Sequence, residues 1–103
     1  MALLKLQQQN VAAAAAYTEY SLTIPPRINE LTLMLRATGA NIFWYMAASG
    51  SGSPGTAANL PAVYNTIPIG NSRTVRGLLG AQTIFFQTDG TAQVLEADYY
   101  ADT

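Results

Sequence analysis

Glu30-Leu31-Thr32-Leu33-Met34-Leu35-Arg36-Ala37-Thr38 is the stretch whose pattern decides the fold. Leu31, Leu33 and Leu35 recur at every second position, with Thr32, Met34 and Arg36 between them. Side chains two apart share a face in a strand, whereas a helical face needs spacings of three and four. The stretch therefore predicts a strand with a leucine face turned to a core and a mixed face turned away. Upstream, Tyr17 to Ile24 keeps the same period, with Thr18, Tyr20, Leu22 and Ile24 on one face and Tyr17, Glu19, Ser21 and Thr23 on the other. Pro25-Pro26 ends that strand, because consecutive prolines remove two ladder donors.

Downstream, Thr38-Gly39-Ala40-Asn41 supplies a turn, and Ile42 to Met46 a short strand that is apolar on both faces. Ala48 to Pro61 has loop composition, with Ser49-Gly50-Ser51-Gly52-Ser53-Pro54-Gly55 at its start. Val63 to Ile67 is a strand closed by Pro68 and Gly70. Asn71 to Leu79 reads as an irregular strand anchored by Val75, Leu78 and Leu79. Thr83 to Thr88 is a strand through Ile84, Phe85 and Phe86, and Asp89-Gly90 is a hairpin signal leading into Gln93 to Tyr99. Phe43, Tyr45 and either Phe85 or Phe86 are expected in the core. Trp44 has two readings: outward beside Met34, as an interface anchor or sugar-stacking platform, or buried inside the sandwich.

A short internal echo supports a two-part architecture. Thr23-Ile24-Pro25 recurs as Thr66-Ile67-Pro68, and Gly39-Ala40-Asn41-Ile42-Phe43 as Gly80-Ala81-Gln82-Thr83-Ile84-Phe85. The expectation is an all-β fold, an antiparallel two-sheet β-sandwich of jelly-roll-like type, over residues 17–103. Residues 1–16 differ: three leucines, a glutamine tract and the run Ala12 to Ala16 show no strand alternation and no helix cap. They are expected as an extended N-terminal arm, either mobile or lying on a neighbouring subunit.

Composition narrows the function classes. Only 11% of the 103 residues are charged against 50% hydrophobic, where an average soluble domain carries roughly 25% charge. A surface so short of charge suggests cover by other subunits or a partner. Five basic and six acidic residues give no footprint for a phosphate backbone, so no nucleic-acid partner is expected. Histidine and cysteine are both absent. The commonest general base, the commonest zinc ligand and thiol chemistry are thereby removed, and no enzyme activity, metal or cofactor is expected. No segment reaches the roughly 20 apolar residues of a membrane span, so no membrane partner is expected either. Met1-Ala2-Leu3-Leu4-Lys5-Leu6 resembles the start of a secretory leader, but Gln7-Gln8-Gln9-Asn10 interrupts the apolar region such a leader needs.

The formal motifs have plain structural readings. Gly50-Ser51-Gly52-Ser53-Pro54-Gly55 matches G-x-G-x-x-G, yet Pro54 and Pro61 leave no room for the helix whose N-terminus would hold a pyrophosphate. Glu96 and Asp98 share one strand face at a separation compatible with a glycosidase pair, but read better as a solvated face. With Asp102 they fall short of the loop-borne oxygen cluster that calcium uses. Arg27, Arg36, Arg73 and Arg76 read as surface residues lying over apolar neighbours.

Taken together, several segments resemble small β-sandwich proteins of tailed-phage virions. They are Tyr20-Ser-Leu-Thr-Ile-Pro-Pro-Arg, Leu31-Thr-Leu-Met-Leu-Arg, Ile42-Phe-Trp-Tyr, Tyr64-Asn-Thr-Ile-Pro-Ile-Gly, Ile84-Phe-Phe-Gln-Thr-Asp and Val94-Leu-Glu-Ala-Asp-Tyr-Tyr, within about residues 17 to 100. The resemblance is one of pattern. It implies a structural virion protein of the capsid decoration (cement) type on the capsid exterior, a homotrimer that binds the major capsid protein. In that setting the arm lies across the capsid or an adjacent subunit. The candidate interface residues are then Leu3, Leu4, Leu6, Val11, Met34 and Trp44. The alternative is a carbohydrate- or receptor-binding module of a head, neck or tail appendage, with Trp44 or Tyr45 stacking on a sugar.

Overall fold

The computed structural model describes residues 3–37, 39–46, 53, 55–78 and 82–102. Its elements are β1 (Leu3–Ala13), β2 (Tyr20–Thr23), β3 (Glu30–Leu35), β4 (Ile42–Tyr45), a single 3-10 turn (Ala57–Asn59), β5 (Asn65–Ile67), β6 (Arg73–Arg76), β7 (Thr83–Thr88) and β8 (Gln93–Asp102). The strands form two antiparallel four-stranded sheets, ordered β1-β8-β3-β6 and β2-β7-β4-β5. The protein is an all-β two-sheet sandwich.

The pairing has a simple logic. β1 pairs with β8, β2 with β7, β3 with β6 and β4 with β5. The chain is thus one long antiparallel ribbon, folded back between β4 and β5, with successive rungs assigned to alternate sheets. The β3–β8 and β4–β7 pairings then join the rungs within each sheet. The internal echo occupies matching places in the second sheet, since β2 and β5 are its two edges and β4 and β7 its inner strands.

Alternation decides what is buried. Leu31, Leu33 and Leu35 of β3 and Leu95, Ala97 and Tyr99 of β8 face inward from the first sheet. Leu22, Ile42, Trp44, Ile67, Ile84 and Phe86 meet them from the second. Removing one such side chain costs about 2–5 kcal/mol, because the lost transfer energy is joined by an unfilled cavity.

Residues 3–13, expected as an arm, are extended but belong to the sandwich as its longest strand. β8 runs ten residues and β3 only six, so β8 extends past β3 at both ends, and β1 pairs along its whole length from Leu3↔Asp102 to Ala13↔Gln93. Ala13 is fully buried, Val11 packs on the core, and the Tyr99 hydroxyl donates to Gln9 Oε1 at 2.8 Å.

Asp89-Gly90 does not make a hairpin. β7 and β8 lie in different sheets, so the chain crosses from one to the other here. Asp89 instead ties down the start of β4, accepting from the Asn41 backbone N–H at 2.8 Å and from Asn41 Nδ2 at 2.6 Å. A Cβ on Gly90 would sit 2.8 Å from the Ala40 Cβ, so close approach of two turns, not hairpin geometry, fixes glycine at that position. The irregular segment near Val75 is the regular strand β6, with Leu78 buried behind it. Leu79, Gly80 and Ala81 lie outside the described residues, as do Thr38, Gly50, Ser51, Gly52 and Pro54.

Candidate functional site on the outer face of the second sheet

Because Ile42 and Trp44 point inward, Phe43 and Tyr45 point out, and the same parity turns Phe85 and Gln87 of β7 outward. These four side chains pair across the two inner strands, Phe43 opposite Gln87 and Tyr45 opposite Phe85. The Tyr45 and Phe85 rings stack with centroids 6.3 Å apart. Phe43 stacks on Tyr17 at 6.0 Å and meets the edge of Tyr64 at 5.5 Å. Offset and edge-on aromatic pairs of this kind each add about 0.5–1.5 kcal/mol beyond their burial.

A buried polar network holds the β4–β5 connection over part of this face. Gln87, fully buried, donates from Nε2 to the Tyr45 hydroxyl at 2.8 Å and to the Asn59 carbonyl at 2.9 Å. The Tyr45 hydroxyl donates in turn to Glu19 Oε1 at 2.8 Å. Asn59 Nδ2 and the Gly55 amide both donate to the Tyr17 carbonyl, and the Tyr17 amide donates to the Thr88 carbonyl. Tyr17 adopts φ +49°, which turns the chain from the first sheet onto this face. Burial pushes the Tyr45 phenol up to about 12, a shift opposed by the bond from Gln87 and reinforced by the bond to Glu19 and its charge. The network is therefore built around a neutral tyrosine donor.

The rim of the same sheet is apolar and exposed. Val63 is 83% exposed, Ile69 54% and Tyr64 41%. Val63 and Tyr64 lead into the edge strand β5 and Ile69 follows it, while Met46, also exposed, leaves β4 at the end where β5 begins. No charged residue occurs between Arg36 and Arg73, the span that holds β4, the β4–β5 connection, β5 and the turn after it. That gap in charge was the signal in the sequence for this surface, and hydrophobic alternation alone does not reveal it.

The other outer face differs in kind. On the first sheet, Glu30 lies between Arg76 and Tyr100, Thr32 between Thr74 and Asp98, and Met34 opposite Glu96. Arg76 meets Glu30 at 2.9 Å and Arg36 meets Glu96 at 3.0 Å. Glu96, half of the carboxylate pair noted in the sequence, is thus engaged by Arg36. Among the described residues no three carboxylates converge as a cation site requires, and no helix is long and apolar enough to cross a membrane.

Of the six candidate interface residues, the three whose side chains are described, Val11, Met34 and Trp44, do not form one surface. Trp44 is 6% exposed and lies in the core, facing away from Met34, which projects from the other sheet. Neither Trp44 nor Tyr45, both buried, offers an open ring to a sugar. Phe43 and Phe85, weighed as core residues, are half-buried on the outer face, and Phe86 is the one inside. Val11 packs on the core. Leu3 and Leu4 pair through the backbone with Asp102 and Ala101, and Leu6 falls at the register shift between Lys5 and Gln7. The side chains of these three leucines lie outside the described part. Compared with known proteins, the chain matches no family model, no curated sequence and no solved structure.

Proposed function

We propose that this chain is a non-catalytic structural protein that completes its surface by docking, and that it serves as a capsid decoration protein of a virion, with the major capsid protein as its partner. The observation that carries the reading is the uncharged rim of the second sheet, with Val63, Tyr64 and Ile69 exposed around a three-residue edge strand. Exposed apolar groups gathered along a stretch of chain that carries no charge mark protein contacts more often than solvent faces. The rolled-ribbon order of the strands supports a jelly-roll assignment, an architecture used in capsid and lectin domains. The buried network beneath residues 55–60 adds a rigid backing, so that docking orders little further chain.

If the reading holds, a phage encodes the chain, and mass spectrometry of that phage's purified virions tests it directly. The expected result is the chain in fixed proportion to the major capsid protein; its absence from intact particles overturns the reading.

A further inference from the structure

The four sheet edges are treated unequally. β5 spans three residues and runs into Pro68, β2 spans four and runs toward Pro25-Pro26, and β6 spans four with an arginine at each end. Shortness, proline and charge are the usual devices that stop an edge from pairing with another chain. β1 lacks them. It runs 11 residues and, among the described residues, has neighbours on one side only, every partner in its register belonging to β8. Its only charge is Lys5, its only irregularity is the shift between Lys5 and Gln7, and no charge follows until Glu19.

We propose that the free edge of β1 takes β1 of a second copy of this chain, antiparallel across a two-fold axis, joining two first sheets into one continuous sheet of eight strands. The backbone favours it: along an antiparallel strand, alternate N–H and C=O groups face each side, so half of those in β1 face away from β8. The side chains specify self-pairing. Gln8 and Asn10 are exposed on the outer face, opposite Asp98 and Glu96. An amide is both donor and acceptor, so a row of them is complementary to itself, whereas a charged edge would repel its own copy across a two-fold. From Gln7 to Ala13 the strand itself carries no charge for a different partner to complement. The strand is also preorganised, since Ala13 is buried, the Tyr99 hydroxyl holds Gln9, and the Ala92 amide donates to the Ala14 carbonyl at 2.9 Å. This contact is two-fold, unlike the threefold arrangement implied by the resemblance to decoration proteins, and it does not depend on what the second sheet docks onto.

The test is sedimentation equilibrium of the full chain, beside a Gln8→Lys/Ala12→Lys variant and a Ser21→Lys/Ser72→Lys control of equal added charge. Residues 8, 12, 21 and 72 are all exposed. The expected result is a wild-type and control mass of twice 11.0 kDa, with the dimer dissociation constant of the β1 variant raised about tenfold or more by like charges meeting across the axis. Hydrogen exchange on the wild-type chain gives a second readout: alternate β1 amides become protected as concentration rises through the dimer transition. A monomeric wild type, or a dimer or trimer that the β1 lysines leave intact, overturns the proposal. So does exchange at β1 that ignores concentration.

Discussion

The two outer faces of this sandwich are made from the same kind of strand and end in different surfaces. On the first sheet the outward positions carry Glu30, Thr32, Glu96, Asp98 and Arg76, with ion pairs at 2.9 and 3.0 Å. Water can serve that face unaided. On the second sheet the outward positions carry Phe43, Tyr45, Phe85 and Gln87. Part of that face is closed by the chain's own residues 55–60, and its rim leaves Val63, Tyr64 and Ile69 exposed on a stretch of chain that carries no charge. Half-buried strands of one domain need only one inward face each. What they do with the other face is free to vary, and here one face is finished by solvent while the other is closed in part by a loop and keeps the exposed apolar rim on which the proposed docking rests.

The comparison breaks most readily at Gln87. Gln87→Ala removes two buried hydrogen bonds and strands the Asn59 carbonyl, so a loss of about 2–3 kcal/mol is expected in urea unfolding. A loss below about 0.5 kcal/mol would mean that the second face is not held by this network. The pH dependence gives a smaller and more selective effect. Tyr45, outward on the second sheet, and Tyr99, inward on the first, are both raised to about 12, in each case chiefly by burial. Both phenols hold their protons in the folded state after the unfolded chain has begun to release them. That contribution to stability is complete below about pH 10 and is lost as pH rises through about 12. Unfolding midpoints should be flat in this respect to about pH 10 and then fall, with Tyr45→Phe and Tyr99→Phe each making the fall shallower. The smallest effect belongs to the first face: Arg36→Ala or Arg76→Ala should cost no more than about 0.5 kcal/mol, since exposed ion pairs gain little over water. A larger cost there would erase the contrast between the faces.

How much of this was legible follows from where each signal resides. β3 could be read because its leucines alternate, and β7 because Ile84-Phe85-Phe86 is a short β-branched and aromatic run between threonines; Thr83–Thr88 has the expected bounds. β1 could not, because glutamines and alanines show no alternation and the strand exists through its distant partner β8. The Asp89-Gly90 reading failed for a related reason, as a local turn signal does not say whether the next strand returns to the same sheet. On β4, Ile42, Phe43, Trp44 and Tyr45 are apolar on both faces, so periodicity could not choose which pair faces inward. The surface proposed for docking was foreshadowed in the sequence by the charge gap between Arg36 and Arg73, a feature visible only when charges are mapped along the chain.

The central claim, the proposal that the rim of the second sheet is where this protein joins a larger assembly, is tested most directly by saturation binding to the assembly proposed, virions depleted of the chain. Wild type and a Val63→Asp/Ile69→Asp variant are compared with Arg36→Ala/Arg76→Ala, all three folded by circular dichroism. Saturable binding that survives in the arginine variant and is lost in the rim variant is the result expected. Binding that survives in the rim variant and fails in the arginine variant would place the contact on the charged face and contradict the account.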